Sequence, residues 1–323
     1  MKTKNTQYYC TLFNKLRRDY SFGGAPHKPI LLISLIQGFQ QKLYNSSKIT
    51  ITPEIVGLFK DNWKKLVRTK HQCRFALPFF HMKSEPFWEL VPKENLGILT
   101  NSKGSIQSFS SLTNGVNYAQ IDEELALLLC HKESSQLLLA FILEKYFIET
   151  SKNLNSLENN YILEIENQIL HEPNAIYQKR LADIKKGIDA GDFQEEVFLR
   201  GSIFKREVPK IYGFTCCISK FRVDSIYNIS MVDGCHIIPF SESYNDTISN
   251  GITLCPNLHR AFDRGLISID NNYRVIINKN FKESKTPYGL KQFDGLQILL
   301  PDNENHHPSL ESLNHHHKRF GFI

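Results

Sequence analysis

The chain lacks several features that would have settled its class at once. No stretch of its 323 residues approaches the roughly 20 uninterrupted apolar residues that span a bilayer. The most apolar early run, 29–38, is short, follows a basic Gly-Pro-rich segment, and fits a core helix better than a signal peptide. That points to the cytoplasm and to no membrane partner. Cysteine is sparse: the seven present are odd in number and irregularly spaced, and none forms a C-x-x-C pair. Neither a zinc ribbon nor a disulfide framework is supported, and reduced thiols are expected. Internal repeats and heptads are missing too, which excludes solenoids and coiled coils. What remains, with 41% hydrophobic and 22% charged residues, is an ordinary globular composition. A net charge of +6 permits a polyanionic partner without requiring one.

Periodicity predicts a helix-rich first half. Tyr9, Leu12, Phe13 and Leu16 recur at the spacing of one helical face, predicting a helix over 6–19. A Phe-Gly-Gly-Ala-Pro break at 22–26 precedes an apolar helix over 30–43, and a further helix starts at Thr52 with Pro53 and Glu54 in its first turn. That helix runs into the basic residues Lys60, Lys64, Lys65, Arg68, Lys70 and Arg74. Residues 75–81 read as extended chain, 87–91 as a short strand, 101–117 as loops, and 121–131 and 134–147 as two apolar helices. A polar segment at 151–160 looks like a linker, and 161–190 reads as helical, a connector rather than a core. The boundaries adopted are 1–150, a linker over 151–191, and 192–323.

The informative stretch begins Asp233-Gly234-Cys235-His236-Ile237-Ile238-Pro239 and continues through Asn250-Gly251 to Leu258-His259-Arg260-Ala261-Phe262-Asp263-Arg264-Gly265. Asp263 stands four residues beyond His259, so the two share a helix face. Phosphodiester hydrolysis needs a base to activate water and a cation on the phosphate. A histidine at a strand end can be that base, and two ligands one helical turn apart make half a coordination site. The Asn-Gly pair can close a hairpin or loop, and the Asn side chain can fix the histidine tautomer. Taken singly, each residue has a bland reading: a structural histidine, a turn, a helix-face pair. The joint pattern is far more specific.

This pattern, D-G-C-H-I-I-P then N-G-I-T-L-C then L-H-R-A-F-D-R-G, closely resembles the HNH (ββα-metal) endonucleases from about Tyr212 onward. The resemblance implies His236 as general base, Asn250 as the residue orienting it, and His259 and Asp263 as ligands to a divalent cation. Many members place an acidic residue or histidine directly before the base. Cys235 stands there in this chain, so Asp233 becomes the candidate extra ligand. Mg²⁺ or Mn²⁺ is the expected ion, with Co²⁺, Ni²⁺ or Zn²⁺ also admitted by histidine ligation.

The basic run from Lys64 to Arg74 would by itself be a solvated helix face. Its company changes the weighting: residues 24–32 (G-A-P-H-K-P-I-L-L), 74–81 (R-F-A-L-P-F-F-H) and Phe87-Trp88 are similar to the sulfur-binding domain upstream of HNH modules in type IV restriction enzymes. That resemblance spans about Tyr9 to Phe147 and implies recognition of phosphorothioated double-stranded DNA. Pro78, Leu77 and Phe79 would form an apolar wall for sulfur, His27 and Lys28 would approach the modified linkage, and Arg74 and Lys103 would hold the backbone. Leu77 departs from the tyrosine common at its position, and Pro78-Phe79-Phe80 also reads as entry to a core strand.

The expected fold is therefore α+β: an α-rich DNA-recognition domain, a helical linker and a C-terminal ββα-metal nuclease domain. The expected activity is restriction of phosphorothioate-modified DNA, and two nicks across a duplex suit a two-fold dimer. The alternatives are an HNH restriction enzyme reading a methylated base or an unmodified sequence, with Phe79, Phe80, Phe87 and Trp88 as aromatic-cage candidates, or a catalytically inactive DNA-binding protein.

Overall fold

The computed structural model describes residues 4–94, 104–106, 108–154, 160–188, 190–224, 229–284 and 286–322. The chain divides into two compact units, one of 1–163 with 188–199 and one of 164–187 with 200–323. Among the described residues no single helix is long and apolar enough to cross a membrane, and all seven cysteines are free.

The first unit is helical around α2 (His27–Gln40), which is buried on every side from Lys28 to Phe39. Helix α1 (Thr6–Asn14) ends earlier than its periodicity suggests. Helix α3 (Pro53–Leu66) starts as its sequence predicts: the Thr52 hydroxyl accepts from the Ile55 amide, Pro53 fills the first turn and Glu54 meets the positive end of the helix dipole. Strands β1 (Lys48–Ile49), β2 (Trp88–Pro92) and β3 (Val116–Ile121) form an antiparallel sheet in the order β1-β3-β2.

Two segments differ from the sequence reading. Residues 75–81 are not extended: α4 spans Ala76–His81. The cause is remote, because the buried Glu195 carboxylate accepts from the Phe75 and Ala76 amides (2.8 and 3.2 Å) and satisfies donors that a helix start leaves open. Nor is 101–117 all loop. Ser108 caps α5 (Phe109–Gly115), and β3 follows at once. Helices α6 (Glu123–Cys130) and α7 (Lys132–Tyr146) close this part of the unit.

Helices α8 (Asn160–His171), α9 (Asn174–Gly187) and α10 (Ala190–Ile211) occupy the stretch expected to be a helical connector. They are more than a connector, since Ile165, Ile169, Tyr177 and Leu181 are buried. In the second unit, β4 (Asp233–His236) and β5 (Gly251–Leu254) form an antiparallel hairpin pairing His236 with Gly251. The short helix α11 (Phe240–Ser243) lies within the connecting loop. Pro256 opens α12 (Pro256–Asp263), giving the β-β-α order, and β6 (Ile267–Ile269) pairs with β7 (Val275–Ile277). Gly251 has an ordinary extended φ; its reason is space, because a Cβ there would meet Val208 at 2.8 Å and Phe204 at 2.9 Å.

The histidine-rich end forms α13 (Leu310–Phe320), capped by Ser309 and closed by Gly321 at φ +70°. His316 is buried and stacks on Phe262 at 3.8 Å. Its Nε2 donates to the Phe262 carbonyl (3.1 Å), and its Nδ1 accepts from Ser268 (2.8 Å). Burial pulls its pKa down from 6.5 to about 4. Between those values the unfolded chain takes the proton first, so stability is full above about pH 6.5 and is lost as pH falls toward 4. Urea unfolding of the second unit's signal should show this loss, at most about 1.4 kcal/mol per pH unit. His316→Gln should flatten the profile over that window; an unchanged slope would show that this imidazole is not its source.

Candidate functional site

Side chains on β4 alternate between two neighbours, as strand geometry requires. Gly234 and His236 face α10, whereas Asp233 and Cys235 reach α12. The His236 ring lies flat on Phe204, with centroids 3.8 Å apart and planes within 8°. Its Nε2 is 2.7 Å from Oδ1 of Asp246, which is fully buried. A carboxylate accepts, so Nε2 carries the proton and Nδ1 is left as the basic nitrogen.

Among the described residues, Asn250 makes no hydrogen bond to that ring. It is fully buried, accepts from the Ile238 amide (2.9 Å), and donates to the carbonyls of Ile238 (2.9 Å) and Asn245 (3.0 Å). It therefore ties the start and the middle of the loop leaving β4 to the start of β5. The ring itself is oriented by Asp246 and Phe204, ten and thirty-two residues from His236 along the chain, and nothing in their local sequence marks either one.

On the α12 face, Cys235 Sγ, a His259 nitrogen and an Asp263 oxygen lie within 4.8 Å of one another, close enough to share one ion. His259 Nε2 is 3.4 Å from Asp263 Oδ2, and its Nδ1 is 3.3 Å from Asp233 Oδ2. The cysteine in the acidic residue's place thus joins the donor set, with Asp233 on the opposite side of the imidazole. Burial, and then the neighbouring Asp263 carboxylate, push the Cys235 thiol well above its ordinary pKa, and Sγ sits 3.8 Å from Asp263 Oδ1. A thiol, an imidazole and a carboxylate fit a divalent transition ion better than a purely hard one. His236, His259 and Asp263 open on one cleft of about 420 Å³, together with Lys205 and Arg319.

The first unit has its own cleft, of about 640 Å³, lined by Arg17, Arg18, His27, Leu77, Pro78 and His81 among others. His27 Nε2 donates to the Gln72 carbonyl (2.8 Å), and burial lowers its pKa to about 4, with His71 and Arg74 nearby acting the same way. Lys28 borders this cleft, but its ammonium is committed to Glu85 (2.5 Å) and Ser84 (2.8 Å). Phe79 points the other way: it is fully buried, packing on Phe75 and Trp88. Phe80, Phe87 and Trp88 are equally buried, so these four aromatics supply no open cage for a flipped base. Arg74 is half-buried, and Lys103 lies outside the described residues. The arginines at 17 and 18 were not anticipated, although a dibasic pair before a Gly-Gly break is a visible signal.

A sequence profile of the HNH endonucleases matches residues 216–270. Anaredoxin of Nostoc sp. (strain PCC 7120) is 32% identical over 66 residues, which are 20% of this chain and 79% of that protein. Among solved structures, the modification-dependent TagI restriction endonuclease is 20% identical with a TM-score of 0.28, the match covering 38% of each chain. The type IV phosphorothioation-dependent restriction endonuclease ScoMcrA is 11% identical with a TM-score of 0.35, covering 78% of this chain and 94% of its own. At these TM-scores neither superposition carries detail over to this chain.

The His236–Asp246 pair makes a sharp expectation. In Asp246→Asn an amide N–H would face Nε2 and favour the opposite tautomer, moving the proton onto Nδ1. Plasmid cleavage should fall on the order of 10²–10⁴-fold with the far-UV circular dichroism spectrum unchanged. Wild-type rates in a folded variant would show that Asp246 does not set the base.

Proposed function

We propose that the chain, whose residues 216–270 match the HNH endonuclease family, is a cytoplasmic, metal-dependent restriction endonuclease that reads phosphorothioated DNA through its first unit and cuts nearby with its second. The observation that carries the nuclease half is the convergence of His236, His259, Asp263 and Cys235 at one hairpin-and-helix site. The first-unit cleft supports the recognition half. Sulfur is larger and less strongly hydrated than oxygen, so Leu77 and Pro78 offer it an apolar wall. The exposed Arg17 and the half-buried Arg18 balance its charge, while His27 stays neutral beside it. Lys28, held by Glu85, acts by fixing the cleft's floor, and Phe79 by supporting α4 from behind.

In the reaction, Nδ1 of His236 takes a proton from water as the water oxygen bonds to phosphorus. The bond from phosphorus to the leaving oxygen breaks, that oxygen takes a proton from a solvent water, and the imidazolium returns its proton to solvent. Asp246 keeps Nε2 protonated throughout and stabilises the imidazolium that forms. Cys235, His259 and Asp263 would hold the divalent cation, with Asp233 beside them; when bound it supplies charge stabilisation at the phosphate and leaving oxygen. By softness the thiol and imidazole suit Co²⁺, Ni²⁺ or Zn²⁺, whereas Mn²⁺ and Mg²⁺, the ions expected from the sequence, would lean on the imidazole and the carboxylates. Cutting both strands would suit a two-fold pair of chains.

The test pairs two identical duplexes, one with a phosphorothioate and one without, incubated with the protein and Mn²⁺. Cleavage of the modified duplex alone is expected, and Pro78→Ala should erode that preference about tenfold or more while general duplex affinity changes little. Equal cutting of both duplexes would keep the nuclease and discard the sulfur reading. A methylated base or a particular unmodified sequence would then be the target to search for.

A further inference from the structure

We propose that Lys205 binds the phosphate of the strand being cut, a role resting on the nuclease reading of the second-unit cleft. Its position is fixed by packing rather than by its own side chain. Gly234 has no Cβ; one built there would lie 3.3 Å from the Lys205 Cα and 3.2 Å from Val208. The neighbouring residue, Phe204, stacks on His236. Helix α10 is thereby pressed against the strand that carries the base, and Lys205 opens on the same cleft as His236, His259 and Asp263.

Charge singles the residue out. Three cations stand on this stretch of α10, and two are internally neutralised. Arg206 pairs with Glu166 and Glu207, and Lys210 with Glu207. Arg319, the other cation of the cleft, pairs with Glu242. Lys205 is exposed, and among the described residues its ammonium meets no hydrogen-bond or ion-pair partner. A cleft holding Asp263, with Asp233 alongside, repels a phosphodiester until positive charge offsets it. An unpaired lysine beside the base supplies one such charge as a compact point donor to a phosphate oxygen. Truncating it disturbs no buried contact, so the fold should survive.

Two measurements on the full chain test this. In the first, wild-type protein in EDTA is acetylated with an amine-reactive ester, with and without duplex DNA, and Lys205 is followed by mass spectrometry against Lys210. Duplex should slow Lys205 acetylation at least about fivefold relative to Lys210; equal rates would overturn the proposal. In the second, Lys205→Ala and Lys205→Arg are compared in cleavage at several salt concentrations. The alanine variant should lose about tenfold in kcat/KM at an unchanged melting temperature, with arginine restoring most of it. The slope of log kcat/KM against log salt should become shallower by about 0.9, the share of one phosphate contact. An unchanged slope or an unchanged kcat/KM would overturn the proposal. Protection of Lys205 in a protein that cuts no DNA with any divalent ion would keep the phosphate site and sink the nuclease reading instead.

Discussion

Helix α10 approaches the β4–β5 hairpin so closely that position 251 has no room for a side chain and position 234 is tight even for a Cβ. The rest of the second unit's chemistry follows from that approach. It lays Phe204 flat against His236, which removes rotational freedom from the ring. The loop that Asn250 ties down brings Asp246 to the ring's other edge. In the role proposed for His236, a ring fixed by a stack and one short hydrogen bond would need little reorganisation when DNA arrives. Asn-Gly at 250–251 thus has two separate roles: the amide closes the loop, and the glycine admits the helix.

The two clefts handle charge in opposite ways. In the second unit, thiol, imidazole and carboxylates concentrate donors that suit a cation, on a strand and helix that hold them rigidly. In the first, burial pulls the pKa values of His27 and His81 down, Lys28 is paired with Glu85, and Arg17 and Arg18 line the cleft with Leu77 and Pro78. Weak hydration on one side and fixed cations on the other is the arrangement that a soft, bulky anion prefers over a well-hydrated one.

The parts of this architecture that depend on near neighbours were legible in the sequence. The start of α3 at Thr52 and the helix carrying His259 and Asp263 follow from spacing of a few residues. What depended on remote partners was not. Residues 75–81 look extended because Pro78 interrupts an aperiodic apolar run; Glu195, some 120 positions away, makes the helix. Phe79 reads as a wall residue until its packing on Trp88 is seen. Asp246 and Phe204 carry no motif, and Lys28 resembles a free DNA contact until Glu85 is placed beside it. Cys235 was visible as a departure from the usual acidic residue, yet only the fold shows its sulfur reaching the same point as His259 and Asp263.

Every step of the proposed reaction depends on His236 as the group that activates water. The most direct measurement is plasmid nicking by wild-type protein and His236→Ala, with Mn²⁺ and with EDTA, alongside duplex binding by fluorescence anisotropy. Wild-type protein should cut only with the metal. The variant should bind duplex equally well and cut at least about 10²-fold more slowly. A folded His236→Ala protein that cuts at the wild-type rate would show that His236 does not activate the water.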